Sequence, residues 1–177
     1  MTHILKNKNI QIHIDSPLEH YKGARFDWTG KIARLKFQDI ELCGVENPNC
    51  TNEDDFGKGF YNEFGIDYAL GFEEAPIGGW FHKIGIGLLQ KTDSRDHISN
   101  SYKIKPAHFT VRKEVDRLSI VCTSDSSNGY RYMLTKELVL NDSGFTIHYS
   151  LENTGENAIV TDEYVHNFTA FNHAPIG

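Results

Sequence analysis

Phe145-Thr146-Ile147-His148-Tyr149-Ser150-Leu151-Glu152 is the stretch on which the fold class turns. Phe145, Ile147, Tyr149 and Leu151 alternate with Thr146, His148, Ser150 and Glu152, the two-residue period of a strand with one buried face. Upstream, Asn141-Asp142-Ser143-Gly144 supplies turn chemistry, and residues 130–140 form the strand before it. Asn128-Gly129 is the strongest short hairpin signal, and it leads into that strand. Residues 108–115 and 118–124 read as a further hairpin closed at Asp116-Arg117. Downstream, Asn153-Thr154-Gly155-Glu156-Asn157 makes one more turn before a last strand.

The N-terminal part repeats the pattern. Ile10, Ile12 and Ile14 alternate with Gln11 and His13. Tyr21-Lys22-Gly23-Ala24-Arg25-Phe26-Asp27-Trp28 is a second strand candidate, and Thr29-Gly30 turns it into residues 31–37. Gln38-Asp39 turns again into 40–43, a β-meander. From 44 to 65 the pattern dissolves into a polar piece, 46–55, and a Gly- and aromatic-rich piece, 56–65, read as an ordered loop against the sheet. The turn-rich 73–79 leads into Trp80-Phe81-His82-Lys83-Ile84-Gly85-Ile86-Gly87-Leu88-Leu89. No helical stretch, repeat or low-complexity tract is present. Short strands at close turn spacing predict an all-β, antiparallel sandwich.

Composition bounds the function. The 177 residues suit one domain, 39% apolar and 24% charged, ordinary for a globular chain. The net charge of −6 is spread along the chain, which disfavours nucleic acid and anionic membrane as partners. No apolar run approaches the roughly 18 residues of a membrane span, and residues 1–14 lack a signal-peptide core. Cys43, Cys50 and Cys122 show no CxxC spacing, so reduced thiols in a cytoplasmic protein are expected. Eleven Phe and eight Tyr suit strands and also sugar-binding surfaces.

The chemistry concentrates in Thr161-Asp162-Glu163-Tyr164-Val165-His166-Asn167-Phe168. On a strand, Val160, Asp162, Tyr164, His166 and Phe168 share one face, and Glu163, Val165 and Asn167 the other. An imidazole between two aromatic rings reads as the floor of a polar cleft, with Asp162 placed to fix its tautomer; a surface histidine between aromatics is the plainer alternative. Unperturbed, an imidazole titrates near pH 6.5 and serves as donor or acceptor at neutral pH. His82-Lys83, flanked by Trp80-Phe81, is a second candidate patch, or a basic pair at a solvated strand end. Other chemistries lack support. Gly85-Ile86-Gly87 has neither the third glycine nor the helix of a nucleotide loop. The nine histidines show no HxH or HExxH, so no metal is expected. No Gly-x-Ser-x-Gly elbow exists, and Cys43 and Cys122 read as buried structural thiols.

Three segments, 21–28, 79–88 and 161–168, resemble the aldose 1-epimerase (galactose mutarotase-like) family, in particular an uncharacterised bacterial branch. The likeness runs over almost the whole chain and is most specific around His166. It implies a supersandwich with a sugar cleft on one sheet and interconversion of α and β anomers without cofactor. There a His protonates the ring oxygen while a Glu takes the anomeric proton. By this resemblance His166 is the general acid, and Asn167 stands at the polar position that follows it. His82 and Lys83 fall where other members contact sugar hydroxyls, without the common His-Gly motif; Trp80 and Tyr164 are expected as aromatic walls. Arg25 and Trp28 belong to the branch signature and have no assigned role. Family members are longer, and none of Glu63, Glu73, Glu74 or Glu163 matches their base. The expectation is therefore an N-terminal portion, residues 1–177, of an incomplete sandwich whose exposed edge pairs with another copy. The ligand is a small aldose, phosphorylated or free, bound for turnover or, alternatively, by a non-catalytic binding or sensing module.

Overall fold

The computed structural model describes residues 1–47, 49, 57–96, 101–172, 174 and 175. Cys50, most of the polar 46–55 piece, His97, His173 and the final Ile-Gly lie outside the described residues. The strands in chain order begin with β1 (Thr2–Lys6), β2 (Ile10–Asp15), β3 (Ile32–Phe37), β4 (Ile40–Glu41) and β5 (Phe60–Phe64). There follow β6 (Trp80–Lys83), β7 (Gly87–Gln90), β8 (Ile104–Pro106), β9 (His108–Lys113) and β10 (Arg117–Thr123). The last are β11 (Tyr132–Leu140), β12 (Phe145–Asn153), β13 (Glu163–Asn167), β14 (Ala170–Phe171) and β15 (Ala174–Pro175). Among the described residues there is no helix, so none is long and apolar enough to cross a membrane.

The protein is all-β and antiparallel. One sheet runs β1-β2-β3-β5-β13, with β4 hairpinned onto β3; the second runs β12-β11-β10-β9; β6-β7-β8 form a small third sheet. The first two face each other because their apolar alternations meet. Leu5, Ile12, Ile14 and Ile32 from one sheet pack on Leu118, Ile120 and Leu138 from the other. The opposite face of the first sheet is covered in turn: Tyr61 of β5 packs with Tyr21, Phe26, Phe81 and Leu89 from the 16–31 loop and the third sheet. The result is three layers, with β5 buried on both sides.

The hairpins of 108–152 form where the turn chemistry places them. Asn128 and Gly129 both have positive φ, 52° and 78°, and Ser127 and Tyr130 exchange backbone bonds of 3.0 and 2.9 Å around them, the geometry of a type I′ turn. Cys43 and Cys122 are buried free thiols. Burial pushes both up to about 12.

Two expectations are corrected. Residues 21–28 are not a strand. The Tyr21 hydroxyl accepts from the amides of Arg25 (3.1 Å) and Phe26 (3.2 Å), and the Trp28 indole donates to the Gly23 carbonyl (3.0 Å). These side chains satisfy backbone groups that a ladder would otherwise take, so the segment curls on itself. Conversely, the irregular 56–65 piece contains β5. Its alternation is hidden because both faces are buried and the polar Asn62 and Glu63 are each partnered inside.

Candidate functional site

The β5–β13 register builds the site. His166 lies opposite Tyr61 and Tyr164 opposite Glu63, so all four side chains share the face turned toward the 16–31 loop. Glu63 and His166 are diagonal neighbours, within reach of long side chains. The His166 Nε2 lies 3.0 Å from Glu63 Oε2. The same oxygen accepts from Arg25 Nε at 3.2 Å, and Glu63 Oε1 meets Lys83 Nζ at 3.5 Å. Arg25 Nη1 reaches on to Glu46, 3.2 and 3.0 Å from its two oxygens, and Glu46 Oε2 also accepts from the Gly57 amide at 2.8 Å. Lys83 Nζ donates in addition to the Gly65 carbonyl at 3.3 Å.

Glu63 is 2% exposed. Burial pushes its carboxyl up, but the His166 hydrogen bond and the Lys83 and Arg25 charges outweigh burial and hold it below the ordinary carboxylate range. Glu63 is therefore an ionised acceptor at neutral pH. An ionised carboxylate on Nε2 keeps the proton on that nitrogen and fixes the tautomer. Nδ1 has no hydrogen-bond partner among the described residues, in a side chain that is 12% exposed. Three rings wall the imidazole: Tyr164 at 4.5 Å, Phe26 edge-on at 5.2 Å and Phe168 stacked at 6.0 Å between centroids. A cleft of about 230 Å³ opens on the Glu63 cluster, lined by Arg25, Glu63, Lys83 and Ile66 with Asp96 and Tyr102. His166 borders it only through Glu63.

Of the residues expected from sequence, the structure brings His166, Tyr164 and Lys83 together. Trp80 and His82 are on the other face of β6, because Phe81 and Lys83 take the face toward Glu63. His82 packs against Tyr132, and the Trp80 carbonyl accepts from the Ser127 hydroxyl and the Asn128 amide. The solvated-strand-end reading of the pair is overturned, since His82 and Lys83 are both buried. Asn167 is exposed on the opposite face of β13 from His166. Asp162 does not orient His166; it lies outside the strand and accepts from the Ile66 and Asp67 amides at 3.0 and 3.3 Å. Glu63 takes that role.

Glu63 and Arg25 are the members that pattern reading missed. The available signal was a carboxylate amid Phe60, Tyr61 and Phe64, because a buried charge demands a partner. Among the described residues, no group of three or more His, Cys, Asp or Glu is placed to hold a metal. Comparison of the chain with protein-family models, with curated proteins and with solved structures finds no match.

Proposed function

We propose that this chain carries the proton-donor side of an aldose mutarotation site, as its resemblance to the aldose 1-epimerases implies, with His166 as general acid. The observation that carries the reading is the asymmetric imidazole: Nε2 bound to the buried, ionised Glu63, Nδ1 unpartnered among the described residues and flanked by aromatic rings. In the protonated ring, Nδ1–H is the proton available to a sugar. It passes to the ring oxygen as the C1–O5 bond breaks, while a base removes the anomeric hydroxyl proton and the C1 carbonyl forms. Recyclisation on the other face reverses both transfers. Glu63 is an orienting group, not the base, because its three partners hold it in the weakly basic state. Arg25 and Lys83 already pair with Glu46 and Glu63, which favours an uncharged sugar over a phosphate ester. The two buried, unpaired thiols fit a reducing, cytoplasmic compartment.

Polarimetry or NMR on freshly dissolved α-glucose and α-galactose tests the reading, using the full natural protein and its His166→Ala variant. Acceleration above buffer that His166→Ala abolishes is the expected result. No acceleration with any common aldose would overturn it. The depressed Glu63 pKa also favours a second reading, a sugar-binding module without turnover. Saturable sugar binding without anomer exchange would establish that alternative, with His166→Ala altering affinity alone.

A further inference from the structure

Behind the site, on the side of β5 that faces the second sheet, Asn62 joins the segments that carry its members. The Asn62 amide group donates to Glu163, on the strand of His166. Its backbone exchanges bonds with Asp27, two residues from Arg25: Asp27 N donates to Asn62 O at 2.9 Å, and Asn62 N donates to Asp27 Oδ1 at 3.3 Å. Glu63 is the next residue on the same strand. Across the interior, the Tyr149 hydroxyl of β12 contacts both Asn62 Oδ1 (3.0 Å) and Asp27 Oδ2 (3.1 Å). One amide and one phenol therefore reach the strand of His166, the strand of Glu63 and the loop of Arg25. None of them touches the cleft.

We infer that Asn62 and Tyr149 are positioning residues, holding the β5–β13 pair and the Arg25 loop so that Glu63 keeps its bond to His166 Nε2. This rests on the proposed role of His166 only for its kinetic consequence. A hydrogen bond between groups on three separate segments survives only if the segments are fixed to a fraction of an ångström, and such groups act through geometry rather than charge. The sheet restrains β13 from one side only. On its outer side, β13 has no strand partner among the described residues, and its Val165 is half-exposed.

The test is Tyr149→Phe, which removes one oxygen and keeps the ring packed on Phe64, with Asn62→Ser as a second variant. Ile120→Val serves as the control, since it loosens the inter-sheet core and removes none of the Asn62 or Tyr149 hydrogen bonds. Nitrogen-15 spectra of the imidazoles in alkaline buffer read the His166 tautomer without any sugar. The wild type and Ile120→Val should show the Nε2–H form, whereas Tyr149→Phe should show a mixture. Where the wild type equilibrates anomers, kcat should fall about tenfold in Tyr149→Phe with KM within about twofold. A wild-type nitrogen spectrum in Tyr149→Phe would overturn the inference, even if its Tm falls as in the control. Absence of anomer exchange in the wild type counts against the proposed function alone, because the spectrum still decides the hub.

Discussion

Two buried side chains of opposite character set the acid limit of this protein. Glu63 is ionised and fully partnered, and Glu63→Gln leaves Lys83 and Arg25 beside a neutral amide. Removing one member of a buried ion pair costs about 3–5 kcal/mol, so urea unfolding at pH 7 should show a loss of about 3 kcal/mol. The pH dependence has a definite sign. Folding lowers the Glu63 pKa, so its contribution is complete above the unfolded value of about 4.3 and disappears as pH falls through the lower folded value. The Tm difference between wild type and Glu63→Gln should therefore shrink as the pH is lowered below 4. A constant difference would show that the carboxylate contributes no charge-dependent stability.

His82 acts in the same direction, at higher pH and as a neutral group. It is 1% exposed, and both ring nitrogens lack hydrogen bonds among the described residues. Burial lowers its pKa; backbone groups of Ser127 and Tyr130 work against that shift without reaching hydrogen-bond geometry. The unfolded chain takes the proton first, near pH 6.5, so stability is complete above that value and lost as the pH falls below it. His82→Leu removes a sealed polar group, and a gain of about 1 kcal/mol at pH 7 is expected. The Tm of the variant should also fall less between pH 6.5 and 5. A less stable, equally pH-sensitive variant would mean that the ring is satisfied in solution.

Among elements, β5 decides whether the site exists. It enters the sheet through Gly59, whose φ is +88°, and a Cβ there would stand 2.1 Å from the Ile32 carbonyl oxygen. Gly59→Ala thus meets backbone on β3 as well as a left-handed conformation, and a loss of about 3 kcal/mol or more is expected. Glu63 should move with the strand, so where the wild type exchanges anomers the rate should fall more than in Ile120→Val. Equal activity at matched stability would count against β5 as the positioning element. The same element explains what sequence could and could not reveal. In β10–β12 one face is buried and the other wet, so alternation is plain, and Asn128-Gly129 fixes a register. In β5 both faces are covered, and its polar residues are paid for by partners 20 to 103 positions away. No local pattern encodes such distant partners. His166 was legible because its own strand keeps one exposed flank; Glu63 was not, and Asp162, closer in sequence, drew the orienting role wrongly. The 21–28 segment misled for a related reason: three of its residues alternate as apolar, but the backbone groups of Gly23, Arg25 and Phe26 bond the segment's own side chains.

At the scale of the whole molecule, three layers leave β13 with an outer edge that no described strand covers. Tyr164 is 57% exposed there, Val165 52% and nearby Val160 67%. An edge strand without lysine or proline, such as β13, is a template for another strand. The sequence around Val165 is compatible with antiparallel self-pairing, since a twofold axis at that residue sets Tyr164 opposite His166 and Glu163 opposite Asn167 of a second copy. Sedimentation of the 177-residue chain at tens of micromolar is therefore expected to give an average mass above the monomer's, falling with dilution. Val165→Lys places a charge on the axis, so two lysines would face each other across the join, and the species should become a monomer at all these concentrations. His166 lies one residue from that axis. Self-pairing would thus add a second Tyr164 ring to its walls, and His166 reactivity should vary with dilution in the wild type but not in Val165→Lys. A wild type that sediments as a monomer throughout that range would mean that the edge is not used between copies.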